Sequence, residues 1–278
     1  MIEIGTYQTL QASRGTANGM YLCDETGREV LLPAGEEPED LLKGDRLLVF
    51  IYKDSEDRPV ATRREPKVVR DQFARLQVRE VTKFGAFLDW GLPKDLLAPF
   101  SEQRQKMVKD EWYTVFVYLD EQTERLVASN RLEKFLQPEP LTVRPGEEVE
   151  LFILHRTELG VNVIINDRHR GLLFYRDLSE PVQPGERRHG YVKSIKEDNK
   201  IDVSLQPPGY ARVPPSADRI LRRLQQKGGF LALNDKSDPE RIQAELQMSK
   251  KTFKKAIGAL YKQRRITIEG DGIRLTST

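Results

Sequence analysis

The chain reads as a mainly β protein: three tandem five-stranded closed barrels followed by an α+β winged-helix domain. Three observations predict this. A glycine-centred segment recurs three times, short apolar runs of period two surround each copy, and the hydrophobic period becomes helical after a proline-rich stretch.

The recurring segments are Ala17 to Pro33, Lys83 to Pro99 and Glu158 to Phe174, and their glycines Gly19, Gly85 and Gly160 stand 66 and 75 residues apart. Each is followed by a strand-like run, a charged turn and a further run: "DRLLVFIYKDSEDRPVATRR", "EWYTVFVYLDEQTERLVASNR" and "ERRHGYVKSIKEDNKIDVSLQ". Asp, Glu, Ser and Asn fill the turns, as hairpins prefer. Units of this size with about five short strands are too small for most sandwiches and suit a closed barrel of the oligonucleotide-binding, or OB-fold, type. The expected domains are residues 1–66, 67–140 and 141–209.

The fourth domain is expected at 214–278, after a semi-rigid connector containing Pro207, Pro208, Pro214 and Pro215. Ile220, Leu221 and Leu224 mark the apolar face of a first helix, with Ser216 or Asp218 as its cap. "SDPERIQAELQ" starts a second, with Ser237 or Asp238 as cap and Pro239 in its first turn. "MSKKTFKKAIGALYKQ" gives a third, capped by Ser249 and striped by Phe253, Ile257 and Leu260. A hairpin turning at Gly270-Asp271-Gly272 closes the chain. In a winged helix the third helix and the wing are the usual nucleic-acid contacts.

Composition sets bounds on function. The 278 residues hold 45 Lys plus Arg against 43 Asp plus Glu, a net +2, so only the local distribution of charge can point to a polyanion. No apolar run approaches the ~20 residues of a membrane-spanning helix, and the N-terminus "MIEIGTYQTL" lacks a signal-peptide pattern. A cytoplasmic protein without a membrane anchor is expected. Cys23 is the single cysteine, and His155, His169 and His189 are scattered, so neither a disulfide nor a metal site is expected. There is no phosphate-binding glycine loop, no nucleophile elbow and no spaced acid pair with a histidine partner, so the expectation is a non-enzyme without a cofactor.

"VREVTKFGAFLDWG", Val78 to Gly91, is the most specific stretch. A strand, a basic residue and a Phe-Gly-Ala-Phe turn into the next strand resemble the RNA-binding domain of ribosomal protein S-one, with Phe84, Gly85 and Phe87 at that family's aromatic and glycine positions. The family's Gly-Leu-Val-His-Ile-Ser run appears in the third unit as "GLLFYRDL", where Phe174 replaces the histidine; Pro99 and Pro33 stand there in the other two. The family's basic residues after the last strand correspond to Arg63 and Arg64, then Arg131, then Gln206. Three such barrels ahead of a winged helix resemble the conserved virulence factor B family of bacterial RNA-binding regulators.

What the resemblance implies is single-stranded RNA as partner, held by flat side chains for unstacked bases and cations for phosphates. In the second unit the candidates are Arg79, Lys83, Phe84, Phe87 and Arg131; in the third, Phe174 and Tyr175. Phe84 and Phe87 can each equally fill a barrel interior. Of adjacent Phe174 and Tyr175, only one can face inward on a strand. Trp90 and Trp112 read as packing residues, and the first unit, with Tyr7, Arg14, Tyr21 and Arg28, as mainly structural. The pairs Arg63-Arg64 and Arg187-Arg188 read equally as loop charges or phosphate contacts. In the tail, Lys250, Lys251, Lys254 and Lys255 share one helix side, and Lys262, Arg264 and Arg265 extend the basic patch. The rival readings are a duplex-DNA-binding transcription regulator and a protein-interaction scaffold.

Overall fold

The computed structural model describes residues 2–276 apart from 138, 179 and 208–214. The connector prolines Pro208 and Pro214 therefore lie outside the described residues. Two compact units divide the chain near residue 208.

The first unit holds three closed barrels of one topology. The first consists of β1 (Tyr7–Thr16), β2 (Gly19–Cys23), β3 (Glu29–Pro33), β4 (Arg46–Lys53) and β5 (Pro59–Thr62). The second consists of β6 (Gln72–Thr82), β7 (Gly85–Asp89), β8 (Leu96–Pro99), β9 (Trp112–Asp120) and β10 (Arg125–Ser129). The third consists of β11 (Glu148–Arg156), β12 (Gly160–Ile165), β13 (His169–Phe174), β14 (Arg187–Ile195) and β15 (Ile201–Ser204). In each, the third and fifth strands pair in parallel and the fourth returns to the first, closing the sheet. A β-bulge in each opening strand lets it bend between two neighbours.

The repeat glycines mark where two strands come closest. Gly19, Gly85 and Gly160 lie directly opposite Pro33, Pro99 and Phe174. A Cβ on them would stand 2.1, 2.3 and 2.3 Å from the carbonyl oxygens of Leu32, Ala98 and Leu173, so no side chain fits. From Gly85 the strand alternates: Ala86 and Leu88 enter the barrel and Phe87 faces out.

Aromatic residues join the barrels. Trp90 is buried, with its ring edge-on to Phe50 and Tyr52 of the first barrel at 5.9 and 6.3 Å. Between the second and third barrels, Phe73 and Phe116 form a cluster with Phe152, Leu154 and Ile164. There Arg187 donates to the Phe73 carbonyl at 2.8 Å, pairs with Asp167 and Glu150, and lies over the Phe152 ring. The Arg187-Arg188 pair is thus occupied by acids, Arg188 meeting Glu180 and Glu186, and Arg64 is likewise held by Glu36.

The second unit comprises α1 (Pro215–Gln226), β16 (Phe230–Leu231), α2 (Pro239–Leu246), α3 (Lys250–Lys262), β17 (Ile266–Ile268) and β18 (Ile273–Leu275). Ile220, Leu221, Leu224, Phe253, Ile257 and Leu260 form its core. The Ser249 hydroxyl accepts the Thr252 N–H and caps α3, and Asp238 precedes Pro239 at the start of α2. Ser216 and Asp218 lie inside α1, which begins at Pro215, so neither is its cap. The closing hairpin gains a third strand, β16, whose two residues are too few to carry a periodic signal.

Candidate nucleic-acid interface

Phe84 occupies the tight turn between β6 and β7, where its backbone N–H donates to Thr82 Oγ1 at 3.2 Å. The residue is 62% exposed. Lys83 Nζ sits 5.1 Å from its centroid, placing a cation beside a flat apolar surface. Phe87, two residues beyond the close approach at Gly85, is half-buried on the outer face of β7 opposite Leu97 of β8. Neither phenylalanine enters the barrel.

Both rings line a cleft of about 340 Å³ where the first and second barrels meet, together with Tyr52, Leu97 and Leu126. Its rim cations are already engaged. Lys94 donates to the Asp54 carbonyl at 2.6 Å and pairs with Asp57, Arg125 also bonds Asp57, and Lys53 meets Glu124 at 3.4 Å. The Arg125 hydrogen bond, reinforced by Lys94, holds the Asp57 carboxyl below the ordinary carboxylate range. An apolar cleft with neutralised rim charges suits a flat base better than a phosphate.

Arg79 departs from the expected role. It is the unpaired residue of the β6 bulge, and its guanidinium pairs with Asp89 and Asp95 at 3.0 and 3.1 Å. Arg131 is exposed beyond β10, at the start of a 3-10 turn over Leu132–Lys134, and no ion pair engages it among the described residues. Trp112, expected to pack, is 48% exposed, with the Arg75 guanidinium 6.0 Å from its ring. Phe100, not singled out from the sequence, is also exposed, because β8 ends at Pro99 and a 3-10 turn begins there.

The other barrels differ at the matching positions. In the first, Tyr21 has the register of Phe87, each facing a leucine of the next strand. The Arg14 guanidinium covers the Tyr21 ring at 3.9 Å and is fixed by a bidentate bond to Glu29. That ring is already stacked. In the third, Phe174 ends β13 half-buried between Arg176 and Lys196, 4.8 and 5.8 Å from its centroid. It borders an open groove of about 680 Å³ with Leu159, Asn162 and Leu172. Tyr175 has left the strand for a 3-10 turn and donates to the Thr157 carbonyl at 2.8 Å. The choice between inward and outward therefore does not arise as on a strand, and neither ring is fully buried.

In the second unit, Lys251, Lys254, Lys255 and Lys262 are exposed on α3, opposite Phe253, Ala256, Ile257 and Leu260. Lys250 is half-buried and turns back to the Lys236 carbonyl at 3.4 Å, which takes it out of the exposed row. Arg264, in a left-handed conformation (φ 56), and Arg265 are exposed between α3 and β17. Among the described residues no group of His, Cys, Asp or Glu could hold a metal, and no helix is long and apolar enough to cross a membrane.

Residues 4–64 and 72–130 match the S1 domain, which covers the first two barrels, and residues 218–275 match the CvfB-like winged helix domain. YitL of Bacillus subtilis is 28% identical over 94% of this chain and 90% of its own length. The conserved virulence factor B of Staphylococcus saprophyticus is 25% identical over 98% and 94%. Among solved structures, a multidomain protein with nucleic acid binding domains from Streptococcus pneumoniae is 23% identical, with 98% of both chains covered and a TM-score of 0.41.

Proposed function

From the premise that this chain belongs to the conserved virulence factor B family, with S1 barrels and that family's winged helix on one polypeptide, we propose that it is a non-catalytic, cytoplasmic protein that binds single-stranded RNA and regulates bacterial gene expression after transcription. A nucleic-acid-binding role follows from the domains; the choice of RNA is supported by the site. The carrying observation is the exposed Phe84 ring with Lys83 beside it, at the mouth of the apolar cleft that Phe87 lines. An unstacked base has a flat face for such a ring, whereas bases inside a duplex are already stacked.

Within the site, Phe84 and Phe87 stack bases and Lys83 and Arg131 meet phosphates. Phe174 with Arg176 and Lys196 offers a second platform on the third barrel. The α3 lysines, with Arg264 and Arg265, supply sequence-independent attraction to the same strand. Because the three barrels form one compact unit, their sites are fixed relative to each other before RNA arrives, which lowers the ordering cost of binding. Arg79 acts by ordering the bulge through Asp89 and Asp95, not by meeting RNA.

Photocrosslinking of the full chain to labelled single-stranded RNA, with the modified peptides mapped, tests this. Adducts on the peptides holding Phe84, Phe87 or residues 249–265 are expected. Adducts confined to the connector, or duplex DNA displacing the RNA at equimolar concentration and equal salt, would overturn it.

A further inference from the structure

Among the described helices, Gly258 is the one glycine in a helix interior, in the middle of α3. A helix is less stable with glycine than with alanine at such a position, so a reason is wanted. The usual ones are missing. Its backbone is not left-handed, unlike Gly228 and Gly229, and a Cβ built on it meets nothing within 4 Å. Neither its conformation nor packing within the protein requires glycine there.

Its neighbours on the helix surface give one. Lys251, Lys254 and Lys255 precede it by seven, four and three residues, and Tyr261 and Lys262 follow by three and four, all on one exposed face. The Tyr261 ring is 57% exposed. α3 contains no acidic residue, and the ion pairs of this unit join Arg222 to Asp218, Arg223 and Lys227 to Glu245, and Arg274 to Glu269. The four lysines are left without an acidic partner among the described residues. The face thus has cations at both ends, an unused flat ring and, between them, a half-buried glycine with open space where a Cβ would stand.

We propose that Gly258 is a close-approach notch in α3, where the sugar–phosphate chain of a bound RNA strand lies directly against the helix while the flanking lysines meet its phosphates and Tyr261 stacks a base. The occupant is a polyanion because the charge on this face is uniformly positive, and a nucleic acid because an aromatic ring is displayed among the cations. The proposal rests on the reading that α3 takes part in RNA binding.

Gly258→Ala and Gly258→Leu test it in the full chain, with a fluorescein-labelled mixed-sequence single-stranded RNA followed by anisotropy and with thermal melting in parallel. Both residues are strong helix formers and a Cβ there meets open space, so the melting temperature of the C-terminal unit should rise, by about 4 °C for alanine. Affinity for the RNA should nevertheless fall, by about threefold for alanine and tenfold for leucine, as a methyl and then an isobutyl group hold the strand away. Wild-type affinity in both variants, alongside weaker binding when Lys251, Lys254 and Lys255 are reversed to Glu, would overturn the notch and keep α3 as an RNA contact. Wild-type affinity in all of these variants, including the lysine reversal, would remove α3 from the interface. Retained RNA affinity with loss of binding to an acidic peptide such as polyglutamate would assign the face to a protein partner instead.

Discussion

Replacing Phe84 by alanine separates a base-stacking ring from a packing one, because the two roles predict opposite balances of stability and affinity. With 62% of the residue exposed, only about two-fifths of its apolar surface is covered, and at ~1.5–3 kcal/mol for a fully buried side chain its removal costs about 1 kcal/mol of folding free energy. Phe73, 1% exposed in the joint between the second and third barrels, would cost about 3–5 kcal/mol on the same change. Loss of one stacked base, in contrast, is worth ~1–3 kcal/mol of binding, which weakens the RNA complex about 5- to 150-fold. The ring carries no charge, so the slope of log Kd against log salt should stay that of the wild type, whereas Lys83→Glu should flatten it by about 0.7 for each phosphate lost. Anisotropy titrations with labelled single-stranded RNA across a salt series, beside urea unfolding, measure both quantities. Phe84→Ala with RNA affinity within twofold of wild type would refute the stacking assignment.

The joint reversal Lys251→Glu, Lys254→Glu and Lys255→Glu should weaken RNA binding and reduce the salt slope by about 2, since each lysine on a single strand accounts for roughly 0.7; an unchanged slope in the same titration counts against this helix. Gly85→Ala places a Cβ 2.3 Å from the Ala98 carbonyl at a backbone φ of 147, so urea unfolding of the barrel unit should show a loss of about 2–3 kcal/mol. Asp57 is held below the usual carboxylate pKa of about 4, chiefly by Arg125, and such a depressed group stabilises the fold above the unfolded value and loses that contribution as pH falls through the lower, folded one. Asp57→Asn, which tolerates the left-handed backbone there (φ 61), should therefore melt below the wild type at neutral pH, and the two melting curves should converge in acid below about pH 4. Constant separation that persists well below pH 4 would show that the carboxylate is not what matters.

The barrel count, the helix order and the Ser249 cap were legible because they rest on local signals: glycine spacing, period-two alternation and a hydroxyl ahead of a helical stripe. The repeat glycines were visible as a pattern, yet the carbonyl that forbids a side chain at each belongs to the next strand, 13 residues further on. Charge pairing was less legible. Arg79 looked available because its acidic partners lie 10 and 16 residues away and reach it only through the bulge. Trp90 was read correctly as packing, but its partners Phe50 and Tyr52 belong to another barrel. Trp112 was misread because alternation alone does not say which side of a closed sheet is covered by a neighbour. In the first barrel, Tyr21 could have passed for a second Phe87; the Arg14–Glu29 pair that covers it depends on strand register.

The aromatic joints between barrels also decide how this chain can be taken apart. A cut between the second and third barrels would uncover Phe73 and Phe116 on one fragment and Phe152, Leu154 and Ile164 on the other, and would deprive the Arg187 guanidinium of the Phe73 carbonyl. Each fragment would then carry a sticky apolar scar where the intact array has interior. The barrels are therefore repeats in sequence but not interchangeable cassettes. Single-barrel fragments would report on their exposed scars as much as on RNA, and point substitutions in the three-barrel array are the sounder way to apportion binding among them.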